Sequence, residues 1–282
     1  VDRLFQPLVE NLGSVLFWDP FAALGLDLGA KVPFIVVWLI AGGLFFTIYL
    51  KFINIRGFRQ GVKLALGKDK RSAGGGETSH FQAVSTALSS TVGMGNIAGV
   101  AVAISMGGPG ATLWMIVAGL LGMSSKFAEC TLGVKYRKVD ENGNVSGGPM
   151  YYLRYGLKER GLPRLGKVLS VLFAIIIAFS ALGIGNMFQS NQVHAQLSVL
   201  FPAVAPHGLW VGLALAVLTG LVILGGIKSI ARVCDKLFPS MAILYIGMCL
   251  IIILANISHI GEACRVIWEG AFNPDAAKGG IV

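Results

Sequence analysis

The sequence predicts an all-α membrane protein with six transmembrane helices, and three observations carry that reading. Apolar residues make up 55% of the 282 residues and charged residues only 13%, at a mean hydropathy of +0.72, whereas soluble domains carry about 25% charge. Six apolar runs meet or nearly meet the roughly 20 residues of a helical crossing: Pro33 to Ile53, Phe81 to Met106, Ala111 to Val134, Val168 to Leu200, Gly208 to Gly226 and Leu237 to Ile257. Positive charge falls on alternate loops, with 18 of the 23 Lys and Arg between runs one and two, three and four, or five and six once Lys51, at the inner end of run one, is counted with the first loop. The positive-inside rule makes those loops cytoplasmic, so the N-terminus and the chain end lie on the extracytoplasmic side. The net charge of +9 is therefore a topology signal, and no nucleic-acid partner is expected.

Residues 1–32 form an extracytoplasmic segment of mixed composition, with Trp18 and Phe21 suited to a membrane interface. The chain starts without Met and has no short signal-like apolar region at its head, so it reads as a fragment. Residues 33–55 make a peripheral transmembrane helix with no side chain that suggests chemistry. The second run follows the turn-rich Ser72-Ala-Gly-Gly-Gly-Glu-Thr-Ser79 and is itself interrupted at Ser89-Ser-Thr-Val-Gly-Met-Gly-Asn96-Ile-Ala-Gly99. Backbone that leaves the helix at membrane depth is tolerated only where it lines a cavity or is buried in protein, so the interruption marks a binding site. Its break at Val92 to Asn96 divides the run into two half-helices.

A short outer turn, Gly107-Gly-Pro-Gly110, returns the chain as run three, which carries Lys126 and Glu129 in its inner half, where long side chains reach water. The loop Lys135 to Lys167 is long enough for a short helix on the inner surface, with Tyr151 and Tyr152 at headgroup level. Run four contains Gly183-Ile-Gly-Asn-Met-Phe-Gln-Ser-Asn191, whose Asn186, Gln189 and Ser190 share a helix face. Such amides either bond neighbouring helices, at about 0.6 kcal/mol each, or line a solute path, and the residues leave both open. His194 has no second ligand at metal spacing, and the cysteines Cys130, Cys234, Cys249 and Cys264 show no CxxC pattern. Residues 259–282 form a second extracytoplasmic segment.

At the break, the outer half-helix presents unpaired N–H groups with partial positive charge, and the inner half presents unpaired carbonyls. The first suits a carboxylate and the second suits Na⁺; an amino acid beside a sodium ion uses both. Oxygens of Thr91 and Asn96 add hard ligands, and Gly93 and Gly95 remove side chains that would hold a ligand off the backbone. This is the arrangement of secondary transporters built from inverted repeats. Gly93-Met-Gly-Asn-Ile-Ala98 also fits the dinucleotide pattern GxGxxA, but it lacks the preceding strand and the acid about 20 residues on. No Walker sequence, GxSxG, HExxH or paired membrane carboxylates occur, so no enzyme and no organic cofactor are expected.

Val92-Gly-Met-Gly-Asn-Ile97, Gly107-Gly-Pro-Gly-Ala111 and Ala128-Glu129 resemble the first two core helices of LeuT-type sodium symporters. More closely, Gly75-Gly-Glu77, Phe81-Gln-Ala83, Val92 to Val100, Gly107 to Gly110, Lys126-Phe-Ala-Glu129, Gly147-Gly-Pro-Met-Tyr-Tyr152 and Gly185-Asn-Met187 are similar to the alanine or glycine:cation symporter family. That resemblance implies a LeuT-like core of two inverted five-helix repeats, with residues 80–258 as the first repeat and its broken first helix. It implies sodium-coupled symport of alanine or glycine into the cell. Carried across, the backbone N–H groups of Gly93, Met94 and Gly95 hold the substrate carboxylate, while Asn186 and Gln189 face the substrate. The Thr91 carbonyl and the Asn96 side chain bind one sodium, and the Ser89 and Val92 carbonyls contribute to a second. Family members have about five more helices, so residues 259–282 would lead to a missing second repeat, and this stretch alone should not transport. The partners implied are a small neutral amino acid, sodium and the lipid bilayer. An oligomeric ion or solute channel is the alternative, since re-entrant filters also expose carbonyls, but the sequence shows neither a symmetric pore helix nor a repeated filter.

Overall fold

The computed structural model describes residues 2–25, 32–65, 79–93, 95–142 and 145–272. Its helices are α1 (Asp2–Leu16), α2 (Pro20–Ala23), α3 (Phe34–Tyr49), α4 (Ile53–Arg56), α5 (Phe58–Ala65), α6 (His80–Thr91), α7 (Val100–Gly107) and α8 (Ala111–Lys135). After a hairpin of β1 (Lys138–Val139) and β2 (Val145–Ser146) come α9 (Pro149–Glu159), α10 (Pro163–Leu182), α11 (Phe188–Leu200), α12 (Gly208–Ile223), α13 (Gly226–Ala255) and α14 (Ile260–Ala271). Gly95–Gly99 and Gly183–Met187 are π-helical turns. This is an all-α, multi-pass membrane protein: α8, α13, Pro163–Ala181 and Pro202–Ile223 are each long and apolar enough to cross, and α6 with the Gly95–Gly107 stretch can make a fifth span.

The burial pattern suits lipid. Among the described residues, the buried positions are Pro33, Gly43, Thr47, Ser85, Ala103, Gly107, Gly110, Ala111, Ser124, Gly166, Ser170, Ala231 and Ala271. The largest side chain wholly withdrawn from the surface is Ser124, while Leu224 is 87% and Val199 76% exposed. Lipid tails are as apolar as leucine, so nothing drives large side chains inward, and small residues let helix backbones approach.

Backbone contacts divide the chain into two units: Val1–Gly61, Val92–Ala128 and Ile243–Val282 form the first, Val62–Thr91 and Glu129–Ala242 the second. In the first unit, Asp19 caps α2 by accepting the Phe21 and Ala22 N–H groups at 2.9 and 3.2 Å, and its other oxygen accepts Val32 N–H at 3.0 Å. The helix α3 has 16 residues, about 24 Å at 1.5 Å per residue, against a hydrocarbon core of about 30 Å. The peripheral helix expected over 33–55 stops early because Lys51 and Phe52 take φ of 53° and 56°, left-handed values that interrupt a right-handed helix. A Cβ on Gly43 of α3 would lie 3.1 Å from Leu121 Cβ of α8, and Asn54 Nδ2 donates to the Leu120 carbonyl at 3.1 Å. At the other end of α8, a Cβ on Gly110 would collide with the backbone of Gly270 and Ala271. Trp114 Nε1 donates to the Ala271 carbonyl there at 2.6 Å, and Phe272 packs edge-on against Trp114 and Trp268.

In the second unit, α9 realises the short inner helix expected from the sequence. It opens on Pro149 after Gly148, whose φ of 101° needs glycine. Gly166 of α10 lets α9 approach, since a Cβ there would sit 2.8 Å from the Leu153 carbonyl oxygen. The hairpin, two residues on each strand, is a departure from the purely helical expectation; Lys138 Nζ lies 4.2 Å from the centroid of the Tyr155 ring. Two run boundaries need correction. Run four starts five residues early, at Pro163, and is divided by the π turn Gly183–Met187; run six starts at Gly226, not Leu237. Lys228, Arg232 and Lys236, read as loop, lie at i, i+4 and i+8, so one helical face carries the charge.

Candidate functional site

The helix break falls where the glycine-rich run predicts it. A regular helix ends at Thr91, Val92 and Gly93 are non-helical, and Gly95 opens the π turn that leads into α7. Met94 lies outside the described residues. The hydroxyls of Ser90 and Thr91 donate back to the Ala87 carbonyl at 2.8 and 2.7 Å, so the oxygens that α6 turns toward its own end are backbone carbonyls. The last four carbonyls of a helix have no intrahelical donor, and in α6 these belong to Leu88, Ser89, Ser90 and Thr91.

One interaction organises the start of the outer half. Gly93 N–H, which in a continued helix would reach the Ser89 carbonyl, donates to Asn96 Oδ1 at 3.1 Å. Asn96 N–H in turn donates to the Gly93 carbonyl at 3.1 Å. The two residues are bonded reciprocally, the Asn96 side chain reaching back to the Gly93 N–H as the third-position side chain of a capping box does. Gly95 is exposed, and among the described residues a Cβ built on it meets nothing within 4 Å. No charged side chain occurs between Ser89 and Gly99. The fields available to a ligand are those of the helix ends, worth roughly half an elementary charge each.

The structure thus brings together Gly93 and Asn96 in the first unit. Val92 and Gly95 flank them on the chain, and Ser89 and Thr91 end α6 in the second unit. Asn186 lies in the second π turn and Gln189 in the first turn of α11, both exposed. Each π turn carries a Gly–Asn pair, Gly95–Asn96 and Gly185–Asn186. A π turn widens the helix and disturbs its hydrogen-bond ladder, and such turns frequently lie at functional sites.

Sequence reasoning missed a second polar cluster, between α6 and α13. Gln82 Nε2 donates to Asp235 Oδ2 at 2.9 Å, and Cys234 Sγ donates to Ser89 Oγ at 3.6 Å. Asp235 lies between runs five and six, in a stretch that the hydropathy pattern assigns to a basic inner loop; the available signal is the helical spacing of Lys228, Arg232 and Lys236 around it. Glu129 and Lys126 both lie on α8. His194 sits in α11 beside Gly208, whose added Cβ would lie 3.3 Å from Nε2. No group of three or more His, Cys, Asp or Glu that could hold a metal occurs among the described residues.

Comparison with known proteins adds to this geometry. The model of the sodium:alanine symporter family matches residues 26–282. The sodium/alanine symporter AgcS of Methanococcus maripaludis is 46% identical over 250 residues, covering 89% of this chain and 54% of that protein. The amino-acid carrier protein AlsT of Bacillus subtilis is 35% identical over 256 residues, 89% of this chain and 52% of its own length. A second Bacillus subtilis protein, named "Probable sodium/glutamine symporter GlnT", is 35% identical over 248 residues, 88% of this chain and 49% of its own. The chain spans about half the length of the curated relatives it matches. All three carry the names of transporters, none of an enzyme.

Proposed function

The chain belongs to the sodium:alanine symporter family, and from that premise we propose that the protein takes up alanine or glycine across the cell inner membrane by symport with sodium. In this reading the segment 33–55, with α3 as its helix, is the peripheral one, residues 80–258 are the first five-helix repeat of a LeuT-like inverted-repeat core, and the N-terminus is extracytoplasmic. The N–H groups of Gly93, Met94 and Gly95 bind the substrate carboxylate, and Asn186 and Gln189 face the substrate. The Thr91 carbonyl and the Asn96 side chain bind one sodium; the Ser89 and Val92 carbonyls take part in a second. Alanine or glycine fits because the break offers backbone in place of side chains. The names of the relatives give no support to the channel alternative.

The observation that carries the reading is the bond from Gly93 N–H to Asn96 Oδ1. It ties a group assigned to the carboxylate to a group assigned to sodium. A sodium ion that draws Asn96 Oδ1 toward itself releases Gly93 N–H, which then points at an incoming carboxylate with the helix N-terminus behind it. Sodium binding thereby prepares the amino-acid site, and by linkage the amino acid strengthens sodium binding to the same extent. Alternating access in such folds is rocking of one repeat against the other around a fixed midplane site. The test is uptake of labelled alanine by proteoliposomes holding the full-length protein. Accumulation only with an inward sodium gradient is expected, and downhill flux indifferent to sodium would overturn the proposal.

A further inference from the structure

We propose that Asp235 and Thr86 form a sodium site of their own between α6 and α13, separate from the helix break, with Gln82 as its positioning residue. The argument starts at the head of α6. Ser79 N–H donates to Gln82 Oε1 at 3.2 Å and Gln82 N–H donates to Ser79 Oγ at 3.2 Å, a reciprocal capping box. With its amide oxygen held by that box, Gln82 can turn only its NH₂ group toward α13, where it donates to Asp235 Oδ2 at 2.9 Å. The carboxylate is oriented, and its second oxygen is left over: Asp235 Oδ1 is buried with no hydrogen-bond partner. So is Thr86 Oγ1.

These two oxygens belong to one stripe of contact. Gln82, Thr86 and Ser89 stand at i, i+4 and i+7 on α6, and the outer two touch Asp235 and Cys234. Thr86 lies between them, so its hydroxyl falls on the face that meets the same turn of α13. Pro239 has no N–H to give the Asp235 carbonyl four residues before it, so that carbonyl lacks its usual helical donor and can serve as a third oxygen. A buried carboxylate oxygen with no donor is a costly arrangement unless a positive charge faces it. Arg232 and Lys236, the nearest cationic residues on α13, are exposed. A carboxylate, a hydroxyl and a backbone carbonyl are all hard oxygen donors, the set that selects a hard cation over a soft one. The proposal rests on the symport reading only for its choice of sodium as that cation.

Equilibrium binding of radioactive sodium to the purified full-length protein, without amino acid, tests it. Asp235→Asn keeps the volume and an acceptor for Gln82, and it should remove one bound sodium per protein or weaken one binding phase at least tenfold. Thr86→Val should do the same and Thr86→Ser should not, with monodispersity and Tm recorded for each variant. Sodium binding by Asp235→Asn equal to wild type in number and affinity overturns the site, as does equal loss in Thr86→Ser and Thr86→Val. Loss confined to Asn96→Ala overturns this site and leaves the break reading standing, whereas no sodium binding by the wild-type protein overturns both.

Discussion

Asn96→Ala separates the two jobs assigned to one side chain. Asn96 Oδ1 accepts Gly93 N–H at 3.1 Å, a bond worth a net of about 0.5–1.5 kcal/mol. A carboxylate that needs that N–H must first displace Asn96. Removing the amide removes that competition, so alanine affinity without sodium should hold or rise, by up to about fivefold for 1 kcal/mol. The ion loses a ligand at the same time. Contacts of oxygen donors with a charged partner contribute about 1.5–3 kcal/mol, which raises half-saturating sodium by about tenfold or more. The signature is therefore a higher sodium requirement together with undiminished sodium-free alanine affinity. The assay is alanine binding across a sodium titration, wild type against variant. An unchanged sodium dependence would remove Asn96 from the ion site; an equal loss of alanine affinity with and without sodium would refute the competition.

Gly93→Leu should abolish alanine binding by placing a side chain over the backbone N–H groups, and alanine affinity retained in a radioligand assay would sink the broken-helix site. Gly95→Ala meets nothing within 4 Å of its new Cβ, so Tm should hold while uptake falls; normal uptake would show that no ligand approaches there. Gly110→Ala should destabilise by about 1–3 kcal/mol, the range for overpacking, because its Cβ meets the Gly270 backbone. Gly119→Ala, with open space around it, should stabilise α8 by up to about 1 kcal/mol; equal Tm changes would contradict the packing described. Tyr155 should titrate below its ordinary 10.0, because the Lys138 side chain hydrogen-bonds it and that charge, with Arg154 and Lys158, favours phenolate over the opposing desolvation. The stability that a lowered folded pKa contributes is fully present above the ordinary value and is lost as pH falls through the folded one. Lys138→Ala should therefore return the ultraviolet titration toward 10.0 and cost nothing by this route at neutral pH.

The break was legible because a polar, glycine-rich stretch inside an apolar run has no other physical home in a membrane. Helix ends were read less well, for identifiable reasons. Hydropathy runs register apolar stretches, so they start the sixth run at Leu237, although α13 begins eleven residues earlier, at Gly226, with a charged face. The short amphipathic helices α1 and α14 went unseen because a helix that is half polar leaves no membrane-length run. The π turn at Gly183–Met187 rests on the same glycine and asparagine chemistry as the break, yet the run was read as continuous. Asp235 was hidden by company: one acid among Arg232 and Lys236 looks like loop charge until the helix register turns it toward Gln82.

The interior made of glycine, alanine, serine and threonine reverses the usual tolerance to substitution. In a water-soluble core, trimming a leucine to alanine leaves a cavity and costs several kcal/mol. Here the exposed leucines make few contacts within the chain, so trimming them opens no cavity there, and the positions with least room to change are those with almost nothing to trim. Sequence drift in such a protein is least constrained on its bulky face and blocked where a gained methyl group would meet a neighbouring backbone, as at Gly110. A saturation scan would trace the helix contacts as the places where growth, not loss, is lethal.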